Sequence, residues 1–323
     1  MSISGPAAIK KKLADWAAQK EARLAFMSSS ALEQADSTVR NLIQVGEIDR
    51  EFYRRQLRGI VPGRGRNSLK DGTLMLVALR RPAHILRFET SAGNLATILP
   101  PTYVNFRRLK KSVLADLVNS MGRGFPEARL LSAPLKTLAI LAGMASYGKN
   151  NITYIEGFGS YHQLFGYVLD ADPDSWASEL GHADRRLKTC ENCRACFENC
   201  PTGSIRPNRF LLHAETCLTL FSETPGDLPQ VQDKLARHDR CLIGCLVCQT
   251  VCPANKRKLE KEEAAVSFDL HETNCILRGY NDGSDPLWKR ILTKVGAIGM
   301  LHTLCPADEI LSRNLRFLLS IKK

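Results

Sequence analysis

Apolar positions recur at helical spacing over residues 7–27, where Ile9, Leu13, Trp16, Leu24 and Met27 fall near one stripe. Two further helical stretches are expected near 30–45 and 48–58. The runs TLMLVAL at 73–79 and HILRFE at 84–89 read as strands. A helix follows at 104–121, then a short strand near 129–132 and a helix from about 135 to 145. A polar turn, Tyr147-Gly148-Lys149-Asn150-Asn151, leads into a strand at 151–155, and Tyr161 to Asp170 reads as another. Residues 286–319 read as two amphipathic helices, and Lys256 to Glu263 as a charged, exposed stretch. No repeat with a period of 20–50 residues is evident. The alternation predicts an α+β layer sandwich. It divides the chain into a helical N-terminal arm (1–60), an α+β domain (61–185), an insert (186–256) and a C-terminal helical cap (257–323).

Charge changes the picture in the first third. The chain carries a formal net charge of +12 over 323 residues, and residues 1–111 hold 20 Lys/Arg against 9 Asp/Glu. Such a surface suits a polyanion such as tRNA or a phosphate-bearing ligand, and equally a solvated basic face. The densest group, Arg107-Arg108-Leu109-Lys110-Lys111, opens an expected helix. The loop Val61 to Ser68 contains G-x-G, but Ser68 stands where a third glycine belongs and no strand precedes it. That argues against a dinucleotide site. The nearly apolar stretch Thr137 to Ala145 is too short to span a bilayer, so no membrane insertion is expected.

Candidate chemistry lies in the insert. Cys190-Glu-Asn-Cys193-Arg-Ala-Cys196-Phe-Glu-Asn-Cys200-Pro201 spells C-x2-C-x2-C-x3-C-P. In that spacing three thiolates hold one 4Fe–4S cluster and the fourth reaches a second cluster. A partner run exists at Cys241-Leu-Ile-Gly-Cys245-Leu-Val-Cys248-Gln-Thr-Val-Cys252-Pro253. Structural zinc takes two separated pairs of ligands, which this consecutive spacing does not resemble. The chain opens MSISGPAAIKKKL, without the apolar core of a signal peptide, so free thiols and a cytoplasmic location are expected.

Cross-pairing assigns Cys190, Cys193, Cys196 and Cys252 to the first cluster. The second takes Cys200, Cys245, Cys248 and one more ligand, either Cys241 or Cys217 by spacing. Cys275 and Cys305 are isolated and read as packed apolar residues. The first loop is polar (Glu191, Asn192, Arg194) and the second apolar (Leu242, Ile243, Leu246, Val247, Val251). A water-poor shell disfavours the charge added on reduction, so the two clusters are expected to titrate apart as a relay.

From about Lys136 to Asn255 the sequence resembles the epoxyqueuosine reductase and reductive dehalogenase-like family. The resemblance rests on the A-G-x4-G-K-N turn (Ala142-Gly143…Gly148-Lys149-Asn150), Gly159-Ser160 and the strand ending in Asp170. It continues through the complete run to Gly203, Glu215-Thr216-Cys217, and Gly244-Cys245-x2-Cys248-Gln-x2-Cys252-Pro253. It implies a double-cluster, cobalamin-dependent oxidoreductase with Cys217 as the remaining ligand. It further implies a corrinoid in the α+β domain near Gly148, Lys149 and Asn150, and a low-potential donor such as a ferredoxin or flavodoxin. The family's D-S/T-A-P stretch is Arg129-Leu-Leu-Ser-Ala-Pro134 here, so Leu131 or Arg129, by register, replaces the aspartate. Tyr147, with Lys149 to stabilise its phenolate, is the candidate acid, and Tyr103 stands behind it. The alternative is an electron-transfer protein that reduces a partner's corrinoid or flavin.

Overall fold

The computed structural model describes residues 6–58, 72–122, 125–182, 185–228, 240–256, 258–279, 285–300, 304 and 307–321. The Val61 to Ser68 loop and Cys305 lie outside them. Among the described residues the strands are β1 (Ala22–Ser28), β2 (Thr73–Arg80), β3 (Ala83–Thr90), β4 (Gly93–Leu99) and β5 (Ala128–Leu130). They continue with β6 (Ser146–Tyr147), β7 (Thr153–Tyr154), β8 (His162–Leu169) and β9 (Lys261–Phe268). The chain divides into two compact units. The first is Met1–Arg80, Arg108–Cys193 and Arg209–Leu211; the second is Arg81–Arg107, Arg194–Asn208 and Leu212–Lys323.

In the first unit an antiparallel sheet runs β1-β2-β8-β5. Strand periodicity sends alternate residues of β2 to opposite faces. Leu74, Leu76 and Ala78 pack with Met27, Leu164 and Val168 under the helices Ala31–Gln44 and Leu135–Leu141. Met75 and Val77 pack with Phe165, Tyr167 and Leu169 against the helices Pro6–Gln19 and Phe106–Met121. Both faces are therefore covered, which explains why the first six residues of β2 are all buried. Trp16 Nε1 donates to Asp116 Oδ2 at 2.9 Å, joining the two outer helices.

The helix expected over 7–27 stops at Gln19. Glu21 adopts φ +47°, and residues 22–28 form β1, paired in register from Ala22↔Leu79 to Ser28↔Thr73. Its apolar residues serve two cores at strand spacing: Leu24 packs toward one and Ala25 and Met27 toward the other. Sheet pairing overrode the helical stripe. The expected 135–145 helix ends at Leu141, because Gly143 turns the chain with φ +68°. The 48–58 stretch is a short helix, Arg50–Phe52, continuing as a π turn at Tyr53–Leu57.

In the second unit a sheet runs β4-β3-β9, with β3 and β9 parallel. Neither β4 nor β9 was expected, and β9 interrupts the segment read as a helical cap. The helices Leu270–Arg278, Pro286–Ala297 and Ala307–Ser320 follow. Phe88, Phe268, Ile276, Trp288, Ile291 and Leu311 contribute to the core of this unit.

Candidate iron–sulfur centre

Two short helical turns present the cysteines of the second unit. The turn Ala195–Glu198 carries Cys196, and the turn Val247–Thr250 carries Cys248. Cys196, Cys200 and Ile205 form a buried group, with Cys248, Phe197 and Leu212 packed against it. The two runs thus meet through their cysteines. Cys245 packs beside Leu218 and Val247 in a neighbouring group. Among the described residues none of the ten cysteines is in a disulfide.

Cys217 faces the same surroundings. Burial pushes its thiol up, opposed by hydrogen bonding with Thr219 and reinforced by Cys200 and Glu223 nearby. Its electrostatic neighbour is therefore a residue already assigned to the second cluster. Cys241 instead sits in a strand-like contact: Ile98 N donates to Arg240 O at 2.8 Å and Leu242 N donates to Ile98 O at 3.0 Å. Its residue also lines a small recess with Leu218, Ser222, Gly244 and Asn314. Cys275 is 4% exposed in the apolar core, as an isolated packed cysteine should be.

The loops that aim these thiols depend on residues the spacing did not reveal. Asn314, 3% exposed, donates through Nδ2 to Ser222 O and to Leu242 O, each at 2.9 Å. Gly244 N donates to Ser222 Oγ at 2.8 Å. Arg313 donates to Phe221 O and Thr224 O at 2.8 and 2.7 Å. The helix Ala307–Ser320 thereby fastens both the segment after Cys217 and the loop before Cys245. A hydroxyl chain also lies near Cys200: its Sγ is 3.9 Å from Thr202 Oγ1, which is 2.6 Å from Ser204 Oγ, to which Thr216 donates at 3.1 Å. Hydroxyls near cluster sulfur favour the reduced, more negative state, so the surroundings of Cys200, a ligand expected for the second cluster, are not uniformly apolar.

Gly244 has φ +74°, and a Cβ there would lie 2.8 Å from Tyr103 Oη and 2.9 Å from its Cε2. Tyr103 in turn donates to Glu223 Oε1. Burial, with Glu223 beside it, pushes the Tyr103 hydroxyl well up, and burial also raises the Glu223 carboxyl. Replacing Gly244 by Ala must displace this pair and strain the backbone. We expect destabilisation of about 1–2 kcal/mol and partial loss of iron, read by thermal melting and iron analysis.

Among the described residues no three His, Cys, Asp or Glu side chains converge as on a single metal ion. A cubane does not ask for that, since each thiolate binds its own iron at a separate corner. The soft, all-thiol donor set and the packing of Cys196, Cys200 and Cys248 fit iron–sulfur clusters.

The G-K-N turn lies in the first unit. Gly148 is required by packing: a Cβ would sit 2.6 Å from Asn150 Oδ1 and from Tyr154 Cε2. Asn150 is 2% exposed, donates to Tyr154 Oη at 2.9 Å and accepts from Ile152 N at 3.3 Å. Lys136 donates to Asn151 O at 3.2 Å, where Asn151 holds φ +56°. Lys149 Nζ donates to Glu191 O at 3.1 Å and Cys193 O at 3.2 Å. Tyr147 is buried, its hydroxyl 3.3 Å from Thr137 Oγ1 and its ring edge-on to Phe210. Burial pushes its pKa up, which keeps the proton on. The expected support of a Tyr147 phenolate by Lys149 is not formed, because the ammonium is drawn to backbone carbonyls of the cysteine loop.

At the stretch that replaces the aspartate, Arg129 is exposed on β5 and Leu131 is 1% exposed. Lys110 Nζ donates to Leu131 O at 2.9 Å. In the basic group at the start of the helix Phe106–Met121, Arg107, Arg108 and Lys111 are exposed. Among the described residues no helix is long and apolar enough to cross a membrane.

Residues 189–255 match the model of the 4Fe-4S double cluster binding domain. Epoxyqueuosine reductase of Francisella cf. novicida is 31% identical over 128 residues, which cover 38% of this chain and 33% of that protein. The Bacillus subtilis enzyme is 31% identical over 126 residues, covering 38% and 29%. The Cellulophaga algicola enzyme is 24% identical over 193 residues, 58% of each chain. The matched part is thus about a third of the first two relatives. A crystal structure of selenomethionine-labeled epoxyqueuosine reductase superposes with a TM-score of 0.66 at 18% identity, covering 98% of this chain and 83% of that one. Another, of the enzyme with an epoxyqueuosine-modified tRNA-Tyr stem loop, gives 0.65 at 18% identity, covering 98% and 82%. The chain is thus similar to the epoxyqueuosine reductases in its fold and its cysteine loops, and its residues 189–255 carry a 4Fe–4S double cluster binding region.

Proposed function

We propose that the chain is an iron–sulfur oxidoreductase related to the epoxyqueuosine reductases. Its carrying observation is the meeting of the two cysteine runs at Cys196, Cys200 and Cys248, with Cys217 beside Cys200. The ligands are Cys190, Cys193, Cys196 and Cys252 for one cluster, and Cys200, Cys217, Cys245 and Cys248 for the other. When bound, these clusters supply one-electron storage and transfer from a low-potential donor such as a ferredoxin or flavodoxin. The protein's part is to fix the thiolates, through Asn314, Arg313 and Gly244, and to exclude water with the apolar loop at 242–247. Residues 186–256 act as the cluster segment, and the unit built on the β1-β2-β8-β5 sheet, rather than the whole of 61–185, as the acceptor-binding part.

A corrinoid, implied by the resemblance, would supply a strongly reducing metal centre when bound. The Gly148-Lys149-Asn150 turn does not fit as its set of direct ligands. Asn150 is buried on Tyr154, Gly148 is occupied by packing, and Lys149 is bonded to Glu191 and Cys193 carbonyls. That observation favours a second reading, an electron-transfer protein that reduces a partner's corrinoid or flavin. The basic first third and the three-layer unit favour an enzyme with its own substrate, either a small molecule or a modified nucleoside in tRNA.

Anaerobic purification after growth with cobalamin separates the two. About eight irons and one corrinoid per chain supports the enzyme; about eight irons without corrinoid supports the relay. Protein free of iron sinks both. On epoxyqueuosine-containing tRNA we expect weak or no turnover, because neither Arg129 nor Leu131 can act as a carboxylic acid.

A further inference from the structure

The first cysteine loop is held from behind by the G-K-N turn. Tyr147 N donates to Arg185 O at 2.9 Å and Leu187 N donates to Tyr147 O at 2.8 Å, so β6 runs beside the chain leading to Cys190. Arg185 closes the other side by donating to Gly143 O at 2.9 Å. Cys190 then ends the 3-10 turn Lys188–Cys190, and Cys193 N donates to Cys190 O at 3.3 Å. From this platform the Lys149 ammonium reaches Glu191 O and Cys193 O, one carbonyl on each side of Asn192. The turn that carries it is rigid, locked by Asn150 on Tyr154 and by Lys136 on Asn151.

We propose that Lys149 is a positioning residue of the cluster bound by Cys190 and Cys193, and that its fixed charge raises that cluster's reduction potential. A cation stabilises the extra negative charge of the reduced cluster, as it stabilises any neighbouring anion. It also occupies carbonyl lone pairs that would otherwise add negative potential to the loop. The first cluster then accepts an electron more readily than loop composition alone allows. This gives the relay its direction a physical source in one side chain. The inference rests on the double-cluster reading above.

The test is an EPR-monitored redox titration of the anaerobically purified holoprotein. In Lys149→Met we expect full iron, one midpoint unmoved and the other lowered. A tenfold loss in the reduction equilibrium corresponds to about 59 mV for one electron. Lys149→Arg, which keeps the charge and donors, should leave both midpoints within a threefold change. If Lys149→Met loads poorly, Lys149→Gln keeps an amide donor without the charge and should show the same lowered midpoint. Full iron with both midpoints in place, or both lowered equally, overturns the proposal. Loss of iron in both neutral variants with Lys149→Arg intact overturns it too, because the residue would then serve assembly alone. Wild-type protein without iron would instead sink the cluster reading itself.

Discussion

Cys217→Ser should remove one cluster and leave the other, taking the iron content from about eight to about four per chain. Cys241→Ser should leave it at about eight. Spacing makes the two residues interchangeable, since either lies within reach of a loop that begins at Cys245. Their surroundings differ. Cys217 is electrostatically coupled to Cys200, while Cys241 is embedded in a backbone contact with Ile98 that continues the edge of β4. The bonds of Arg240 and Leu242 to Ile98 fix the backbone on both sides of Cys241. Iron analysis and EPR of the two variants decide the matter. Half-loaded Cys241→Ser beside fully loaded Cys217→Ser would reverse the assignment.

The second large effect concerns Glu272, whose side chain is fully buried in the second unit. Its carboxylate accepts from Arg290 Nε at 2.7 Å and Lys294 Nζ at 2.6 Å, while Asp269 N donates to it at 2.9 Å. Asp269 returns the contact by accepting from Glu272 N, which completes a capping box for the helix Leu270–Arg278. Burial alone would raise the Glu272 carboxyl. The bonds from Lys294, the Asp269 backbone and Arg290 outweigh it and hold the pKa below the ordinary glutamate value. Glu272→Ala removes the return half of the capping box and the buried anion that Arg290 and Lys294 share, while Arg290 keeps its bond to Asp269 Oδ2 at 2.6 Å. We expect a loss of about 2–3 kcal/mol, a large share of the 5–15 kcal/mol typical of a domain. Because the folded pKa is depressed, the contribution is present above the unfolded glutamate value and vanishes as pH falls through the folded one. Wild-type melting temperature should therefore drop more steeply than that of Glu272→Gln on acidification below about pH 4.3. Parallel curves would contradict this role.

Much of the three-layer unit is legible in the sequence because its two central strands are rich in apolar residues. TLMLVAL and Tyr161 to Asp170 read as strands, and they are the central strands β2 and β8, buried along most of their length. β1 was hidden because the helix Pro6–Gln19 and the strand after it carry apolar residues that fall on one helical stripe by coincidence. Only the partner strand distinguishes the two. β9 was hidden for the opposite reason. Its sequence, KEEAAVSF, is mostly exposed and charged, and its pairing with β3 is parallel and remote in sequence. The cysteine loops were legible from spacing alone, since wrapping a cluster fixes the number of intervening residues. The supports of those loops were not. Asn314 and Arg313 look like ordinary polar residues on a C-terminal helix, and only folding shows that they face the carbonyls of Phe221, Ser222 and Leu242. The motif draws attention to Lys149, yet the turn directs it to the neighbouring cysteine loop's backbone, which a local motif cannot reveal.

The bracing by Asn314 and Arg313 has a consequence for dissecting the protein. Within the cluster segment the described part, 217–228 and 240–250, owes its shape to a helix 72 to 92 residues further along the chain. It is therefore not a portable cassette: transplanted without that brace, it would lose the backbone acceptors' partners and the scaffold that keeps Cys245 and Cys248 in place.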